Sequence, residues 1–238
     1  MRVLKINKRV KHSRQKKRAK AIVLLSGGID SAVALAIAKK KGFFTEALVL
    51  DYGQRHKKEI KSALRIAKSM GSRCTVLKFI FPWKNSSLLD KNKKIPKSRS
   101  FKKIALSIPS TYVPARNLIF LSLALSFAES EKAKAIFIGA HSEDYSGYPD
   151  CRKEFFDSFK KTAYVGTKYG KNIQIHTPLL GMNKKEIINF GIRLKVPLQF
   201  TWSCYMGDKK PCLACDSCLF RARAFGELGL KDPAYAAS

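Results

Sequence analysis

Residues 26–31 read Ser-Gly-Gly-Ile-Asp-Ser and follow directly on an apolar run, Ala21-Ile22-Val23-Leu24-Leu25. A buried strand that stops at two glycines and restarts as a helix has the geometry of a phosphate cradle. The glycines let the backbone turn tightly and approach an anion. The first N–H groups of the helix, aided by its dipole, favour the anion's charge. Ser26 and Ser31 add hydroxyl donors. Asp30 cannot be there to attract phosphate; an acid in this place calls for Mg²⁺ or for a positioning role. No G-x-x-x-x-G-K-[ST] and no G-x-G-x-x-G competes elsewhere in the chain. An ordinary strand–turn–helix corner would also carry Gly-Gly, but not both serines and the Asp in frame.

A second group of residues suited to chemistry lies near the C-terminus. Four of the six cysteines, Cys204, Cys212, Cys215 and Cys218, follow the spacing C-x₇-C-x₂-C-x₂-C. Thiolates at i and i+3 can face one ion, and four satisfy a tetrahedral Zn²⁺. Such a closed site leaves no open position for water, so the zinc would be structural. An iron–sulfur cluster and C-x-x-C redox work are the alternatives. Cys74 reads as a small buried hydrophobe.

These residues need a frame to position them. Strand-like apolar runs at 21–25, 46–51, 74–80, 135–139 and 173–177 alternate with helix-like segments at 31–41, 55–70, 116–131, 153–163 and 184–191. The runs are nearly continuous in apolar character, as in a parallel sheet covered on both faces. Asn183 and Glu186 form a capping-box pattern at the start of the final helix-like segment. The fold class is therefore α/β, a doubly wound, Rossmann-like parallel sheet. The expected units are a basic disordered arm (1–19), an α/β domain carrying the phosphate cradle (20–199) and a small C-terminal zinc-binding module (200–238). In such sheets ligands sit beyond the C-terminal strand ends. The loop at 26–31, Asp51-Tyr52 and Gly139-Ala140-His141 all follow strands and would share one cleft. Residues 83–107, rich in Lys, Ser and Asn, read as an insertion or mobile flap.

Composition bounds the class. The chain has 238 residues, 45% of them hydrophobic, enough for a full α/β core. No apolar run approaches the ~18 residues of a membrane span, and the N-terminus lacks the apolar stretch of a secretory signal. The expectation is a cytoplasmic enzyme. The formal charge is +30, and ten Lys or Arg fall within residues 1–20. Such charge attracts polyanions. It is spread along the chain, however, and no aromatics interleave with it in the arm, so a solvated surface is the favoured reading.

The loop at 26–31 resembles the PP-loop of the N-type ATP pyrophosphatases, which bind ATP and usually cleave it between the α- and β-phosphates. Further segments narrow the resemblance: DYGQRH at 51–56, STYVPARN at 110–117, DYSGYPDCR at 144–152, TWSCY at 201–205 and CLACDSC at 212–218. Together, in this order, they are similar to the 7-cyano-7-deazaguanine synthases of queuosine and archaeosine precursor synthesis. The departures are the long basic arm, the extra Lys-rich residues around 90–105, and Leu213-Ala214 where the family commonly has a Gly. The resemblance implies an ATP-dependent ligase that converts 7-carboxy-7-deazaguanine and ammonia to the nitrile, with Mg²⁺ and structural Zn²⁺ as metals. It places ATP on Leu24, Leu25, Ser26, Gly27, Gly28, Ile29, Asp30, Ser31, Ala32, Val33 and Ala34. Asp30, Ser31 and Arg116 would be catalytic, with Arg116 clamping a phosphate or the substrate carboxylate. Asp144 and Asp150 would accept from the guanine-like edge, Tyr145 or Tyr148 would stack on the base, and Arg152 belongs to the same substrate block. Cys151 reads as a packing or recognition residue, and His56 and His141 are candidate proton shuttles. The alternatives are a tRNA thiolase on the same fold and a ligase that attaches the deazaguanine acid to nucleic acid or protein. A weak RNA contact through the arm and a homodimer are the remaining partner expectations.

Overall fold

The computed structural model describes residues 2–6, 18–105, 108–141 and 148–235. Six strands form one sheet: β1 (Arg2–Ile6), β2 (Lys20–Leu24), β3 (Phe44–Asp51), β4 (Arg73–Lys78), β5 (Ala135–Phe137) and β6 (Gln174–His176). Their spatial order is β1-β4-β3-β2-β5-β6. All pairings are parallel except β1 with β4. From β2 the chain winds outward through β3 and β4, then returns to the other side of β2 for β5 and β6. The order therefore reverses between β2 and β5, and a crevice opens at their C-terminal ends.

Among the described residues, seven α-helices accompany the sheet: α1 (Ile29–Lys40), α2 (Lys58–Ser69), α3 (Phe101–Ala105), α4 (Arg116–Ser130), α5 (Lys153–Gly166), α6 (Lys184–Arg193) and α7 (Asp216–Glu227). Strand alternation divides the core in two. Ala21, Val23, Ala47 and Val49 pack against α1, α2, α6 and α7. Ile22, Leu24, Leu48 and Leu50 face α4 and α5 on the other side. Both faces are covered, which is why the strands read as unbroken apolar runs. In α2 the buried residues Ile60, Ala63, Ile66 and Ala67 form one stripe, with charged residues outside it. The capping box at Asn183 and Glu186 is present and starts α6 where the sequence places it.

Two segments depart from expectation. Arg2–Ile6 is not disordered: it pairs antiparallel along β4 from Arg2↔Lys78 to Ile6↔Cys74. Val3 and Leu4 stay exposed, so the pairing satisfies the open backbone edge of β4 rather than burying side chains. Residues 7–17 of the arm lie outside the described residues. The flap expected at 83–107 is tied down where it is described. Lys97 bridges Cys215, Ser98 N–H donates to the Ala214 carbonyl at 2.7 Å, and Arg99 makes a two-pronged ion pair with Asp216. α7 contributes Ala224 and Phe225 to the main core, so the cysteine-bearing segment packs directly onto the sheet domain. Among the described residues, no helix is long and apolar enough to cross a membrane.

Candidate functional site

The loop between β2 and α1 holds itself in shape through its serines. The Ser26 and Ser31 hydroxyls lie 3.0 Å apart, the Ser31 hydroxyl donates to the Gly28 carbonyl at 3.1 Å, and Ser26 N–H donates to Ser31 Oγ at 3.2 Å. Gly28 is the N-cap of α1 and supplies no side-chain cap, so the first-turn amides are left for an external acceptor. Gly27 has φ +90, and a Cβ there would lie 2.2 Å from the Glu59 carbonyl oxygen. Gly139, just after β5, would place a Cβ 2.7 Å from the backbone of Asp30 and Ser31. Only glycine lets the two strand ends and the helix start converge this closely.

A cavity of about 270 Å³ opens above this crossing. Its floor is Leu24, Leu25, Ser26, Gly28, Asp30 and Ser31. Arg116, Asn117 and Phe120 come from α4, Tyr52 and Gln54 from the turn after β3, Glu59 from the first turn of α2, and Ile104, Asp216 and Phe220 from the tied-down segment and α7. The remaining residues expected to bind ATP are not among its lining: Gly27 forms the turn beneath it, packed against the Glu59 carbonyl, and Ile29, Ala32, Val33 and Ala34 are buried in the core, where they fix the helix that presents the loop.

Asp30 is not alone at the loop. Lys184, the first residue of α6, donates to both its carboxylate oxygens, at 2.6 and 2.7 Å. Lys184 Nζ also lies 3.3 Å from His141 Nε2, which is itself 3.6 Å from Asp30. Burial alone would raise the Asp30 pKa, but the charges of Lys184 and His141 outweigh it and hold the carboxyl below the usual range. Arg116 sits among Tyr52, Tyr148 and Tyr205 and hydrogen-bonds the Tyr52 phenol. The guanidinium keeps its charge in any surroundings. An anion entering the cavity thus meets two cations, Lys184 and Arg116, on either side of the glycine loop.

The substrate block is only partly in this cavity. Tyr148 lines it, stacked on Tyr112 with 5.5 Å between ring centres, and its hydroxyl meets Thr111 Oγ1 at 3.1 Å. Cys151 also lines it and accepts from Asn117 Nδ2 at 3.2 Å. Asp150 is not among the lining residues: its Oδ2 accepts from the Asn117 amide at 2.8 Å, capping the start of α4, where a carboxylate is favoured by the helix dipole. Arg152 is exposed at the N-cap of α5, outside the cavity lining. Asp144 and Tyr145 lie outside the described residues. His56 packs beneath Gly207 rather than in the cavity, and burial lowers its pKa.

The four cysteines expected as ligands do come together. Cys204, Cys212, Cys215 and Cys218 place their sulfurs within 4.8 Å of one another, and none is in a disulfide. Amides of Cys212 and Cys215 donate to the sulfurs of Cys204 and Cys212, both at 3.3 Å. Such amide donors are the usual outer support of thiolate ligands. Neither Lys184 nor Glu59 was marked by a motif. A lysine opening a capped helix and an acid in the first turn of α2 are unremarkable in sequence, and only the crossing of distant segments brings them to the loop.

The comparisons with known proteins agree with this geometry. Residues 20–229 match the family described as Queuosine biosynthesis protein QueC. A 7-cyano-7-deazaguanine synthase of Clostridium kluyveri is 48% identical over 220 residues, which is 90% of this chain and 96% of that protein. The enzyme of the same name from Thermoplasma volcanium is 46% identical over 216 residues, covering 90% and 89%. That from Nostoc punctiforme is 45% identical over 219 residues, covering 90% and 98%. The described start of the matched region coincides with β2, so β1 and the basic arm lie outside it. The chain belongs to the QueC family of queuosine biosynthesis proteins.

Proposed function

We propose that this chain is an ATP-dependent carbon–nitrogen ligase that converts 7-carboxy-7-deazaguanine and ammonia to 7-cyano-7-deazaguanine. The observation that carries the reading is the uncapped glycine loop at the sheet's switch point, flanked by Lys184 and Arg116 in one cavity. The chemistry explains those parts. A carboxylate is a poor electrophile, and its oxygen is a poor leaving group. Transfer of AMP to the carboxylate supplies the leaving group, and ammonia then displaces it to give the amide. A second activation, at the amide oxygen, allows loss of water in activated form and gives the nitrile.

The residues divide this work. The loop amides and the hydroxyls of Ser26 and Ser31 hold the phosphates. Arg116 and Lys184 balance the charge that gathers on pyrophosphate as it leaves. Asp30 is the carboxylate beside the phosphates, the ordinary protein contribution to a Mg²⁺ site, and that ion would neutralise the phosphate oxygens. Once phosphates draw Lys184 toward them, Asp30 is freed for that role. Tyr148 and Tyr112 offer a flat wall for the base. The four sulfurs fit one tetrahedral Zn²⁺ in number, type and proximity, and none of them lines the cavity. That separation supports a structural metal and speaks against the tRNA thiolase reading, which needs a sulfur carrier at the ATP site.

The test is direct. The protein is incubated with ATP, Mg²⁺, an ammonium salt and 7-carboxy-7-deazaguanine, and the products are read by mass spectrometry. Amide, then nitrile, with AMP in proportion is expected. ATP consumption that ignores the deazaguanine acid, or product found only on added tRNA or protein, would overturn the reading.

A further inference from the structure

The ligation needs a group to receive the proton of the incoming nitrogen, and the cavity narrows the choice. Among the described residues, three carboxylates line it: Asp30, Asp216 and Glu59. Asp30 gives both oxygens to Lys184. Asp216 gives both to Arg99. Glu59 is different: its hydrogen-bond partner is a neutral amide, the side chain of Gln54. Gln54 is itself fixed, because its Oε1 accepts from the Tyr52 amide at 2.8 Å and its Nε2 donates to the Leu50 carbonyl at 3.3 Å. The Glu59 main chain is fixed as well, since its carbonyl abuts Gly27 of the phosphate loop. A carboxylate is thus held on a rigid helix start, beside the loop, with capacity left for a further donor.

We propose that Glu59 is the ammonia site, binding the nucleophile as ammonium and acting as its proton acceptor. The proposal rests on the ligase reading above and adds a residue to it. The balance of the step is complete. Ammonium gives one proton to the Glu59 carboxylate and becomes ammonia. The nitrogen lone pair forms the C–N bond, and the acyl–oxygen bond to AMP breaks with its electron pair leaving on the phosphate. The second proton lost from nitrogen passes to solvent or to the departing AMP. In the second half-reaction the same carboxylate is placed to take an N–H proton as the activated amide collapses to the nitrile.

The surroundings suit the role. Burial pushes the Glu59 carboxyl up to about 7; the Gln54 hydrogen bond and the Arg116 charge temper the rise, and Asp51 adds to it. The charged or titratable groups facing it are Arg116 at the start of α4 and Asp51 and Tyr52 at the end of β3, with Asp51 partly neutralised by Lys57 at 3.1 Å. A proton acceptor in this range is matched to work at neutral pH.

The test is Glu59→Gln in the full chain, which keeps size and a hydrogen-bonding end group. Three readouts separate the outcomes. First, exchange of pyrophosphate into ATP that depends on 7-carboxy-7-deazaguanine reports activation of the acid alone, and it is expected within about three-fold of the parent. Second, amide formation from ammonium is expected to fall by about 10²-fold or more, with loss of the acidic limb of its pH profile near neutrality. Third, hydroxylamine is largely unprotonated at neutral pH and needs no base to free its lone pair, so hydroxamate formation is expected close to the parent rate. Equal losses in all three would assign Glu59 a structural role and overturn the proposal. Ammonium-dependent amide formation within five-fold of the parent would do so as well. If the parent itself shows no exchange with the acid, it is the ligase reading that fails.

Discussion

Removing Lys184 should destabilise the fold in a way that depends on pH, because the lysine's main partner is a carboxylate. In Lys184→Met the aliphatic stem is replaced at similar volume, while Asp30 loses hydrogen bonds of 2.6 and 2.7 Å. Stripping one partner from a fully buried pair costs ~3–5 kcal/mol. Here the side chains are 24% exposed for Asp30 and 13% for Lys184, so water repays part of the loss and ~2 kcal/mol is the better figure. That corresponds to about a 30-fold change in the folding constant. The sign with pH follows from linkage. The folded pKa of Asp30 is depressed, so its contribution is present above the unfolded value of ~3.9 and is lost as pH falls through the folded value. The gap between parent and variant should therefore be full at neutral pH and shrink below about pH 4. Urea denaturation of the parent, Lys184→Met, Asp30→Asn and the double variant, at pH 7 and near pH 3, measures both the gap and the coupling. An unchanged gap at acid pH, or a coupling below ~0.5 kcal/mol at pH 7, would refute the assignment.

Gly27→Ala should cost more than 3 kcal/mol or abolish ATP binding outright. It sets a Cβ 2.2 Å from the Glu59 carbonyl oxygen at a φ of +90, and a melting curve with and without ATP would show either loss. The purified protein should carry about one zinc per chain, and Cys215→Ser should lower zinc content and solubility together; a zinc-free, fully active variant, by elemental analysis and assay, would deny the site a structural role. Deleting residues 1–6 should bare the β4 edge and raise aggregation on heating, followed by light scattering, while turnover of the soluble fraction stays within about two-fold, since no residue of β1 lines the cavity.

What the sequence disclosed and what it hid follow a physical divide. The phosphate loop and the cysteines were legible because each is a short motif whose residues act together locally. The parallel strands were legible because burial on both faces leaves no polar alternation. Lys184 was not legible as a partner of Asp30, since 154 residues separate them and only the α1–α6 packing brings them together. The capping contact of Asp150 was hidden for a related reason: the open amides at the start of α4 that its Oδ2 meets lie 33 residues earlier in the chain. β1 was hidden by its own composition: three apolar residues between cations resemble a charged tail until the open edge of β4 gives the backbone something to pair with.

The amide of Trp202 donates to the carbonyl of Gly27 at 2.9 Å, so the segment that enters the cysteine cluster also forms one wall of the phosphate loop. Lys58, at the start of α2, adds to this seam by lying over the Trp202 ring at 4.3 Å and donating to the Lys209 carbonyl. This has a bearing on how the protein matures on the ribosome. The loop is translated early, but Trp202, which bonds to it, emerges only after all six strands have been made. A nascent chain therefore carries an unfinished nucleotide pocket, and the pocket is completed when the cysteine-bearing segment folds back onto it. If the four cysteines hold a metal as proposed, starving cells of it should then appear as chains that have lost their grip on nucleotide, and not only as chains that unfold.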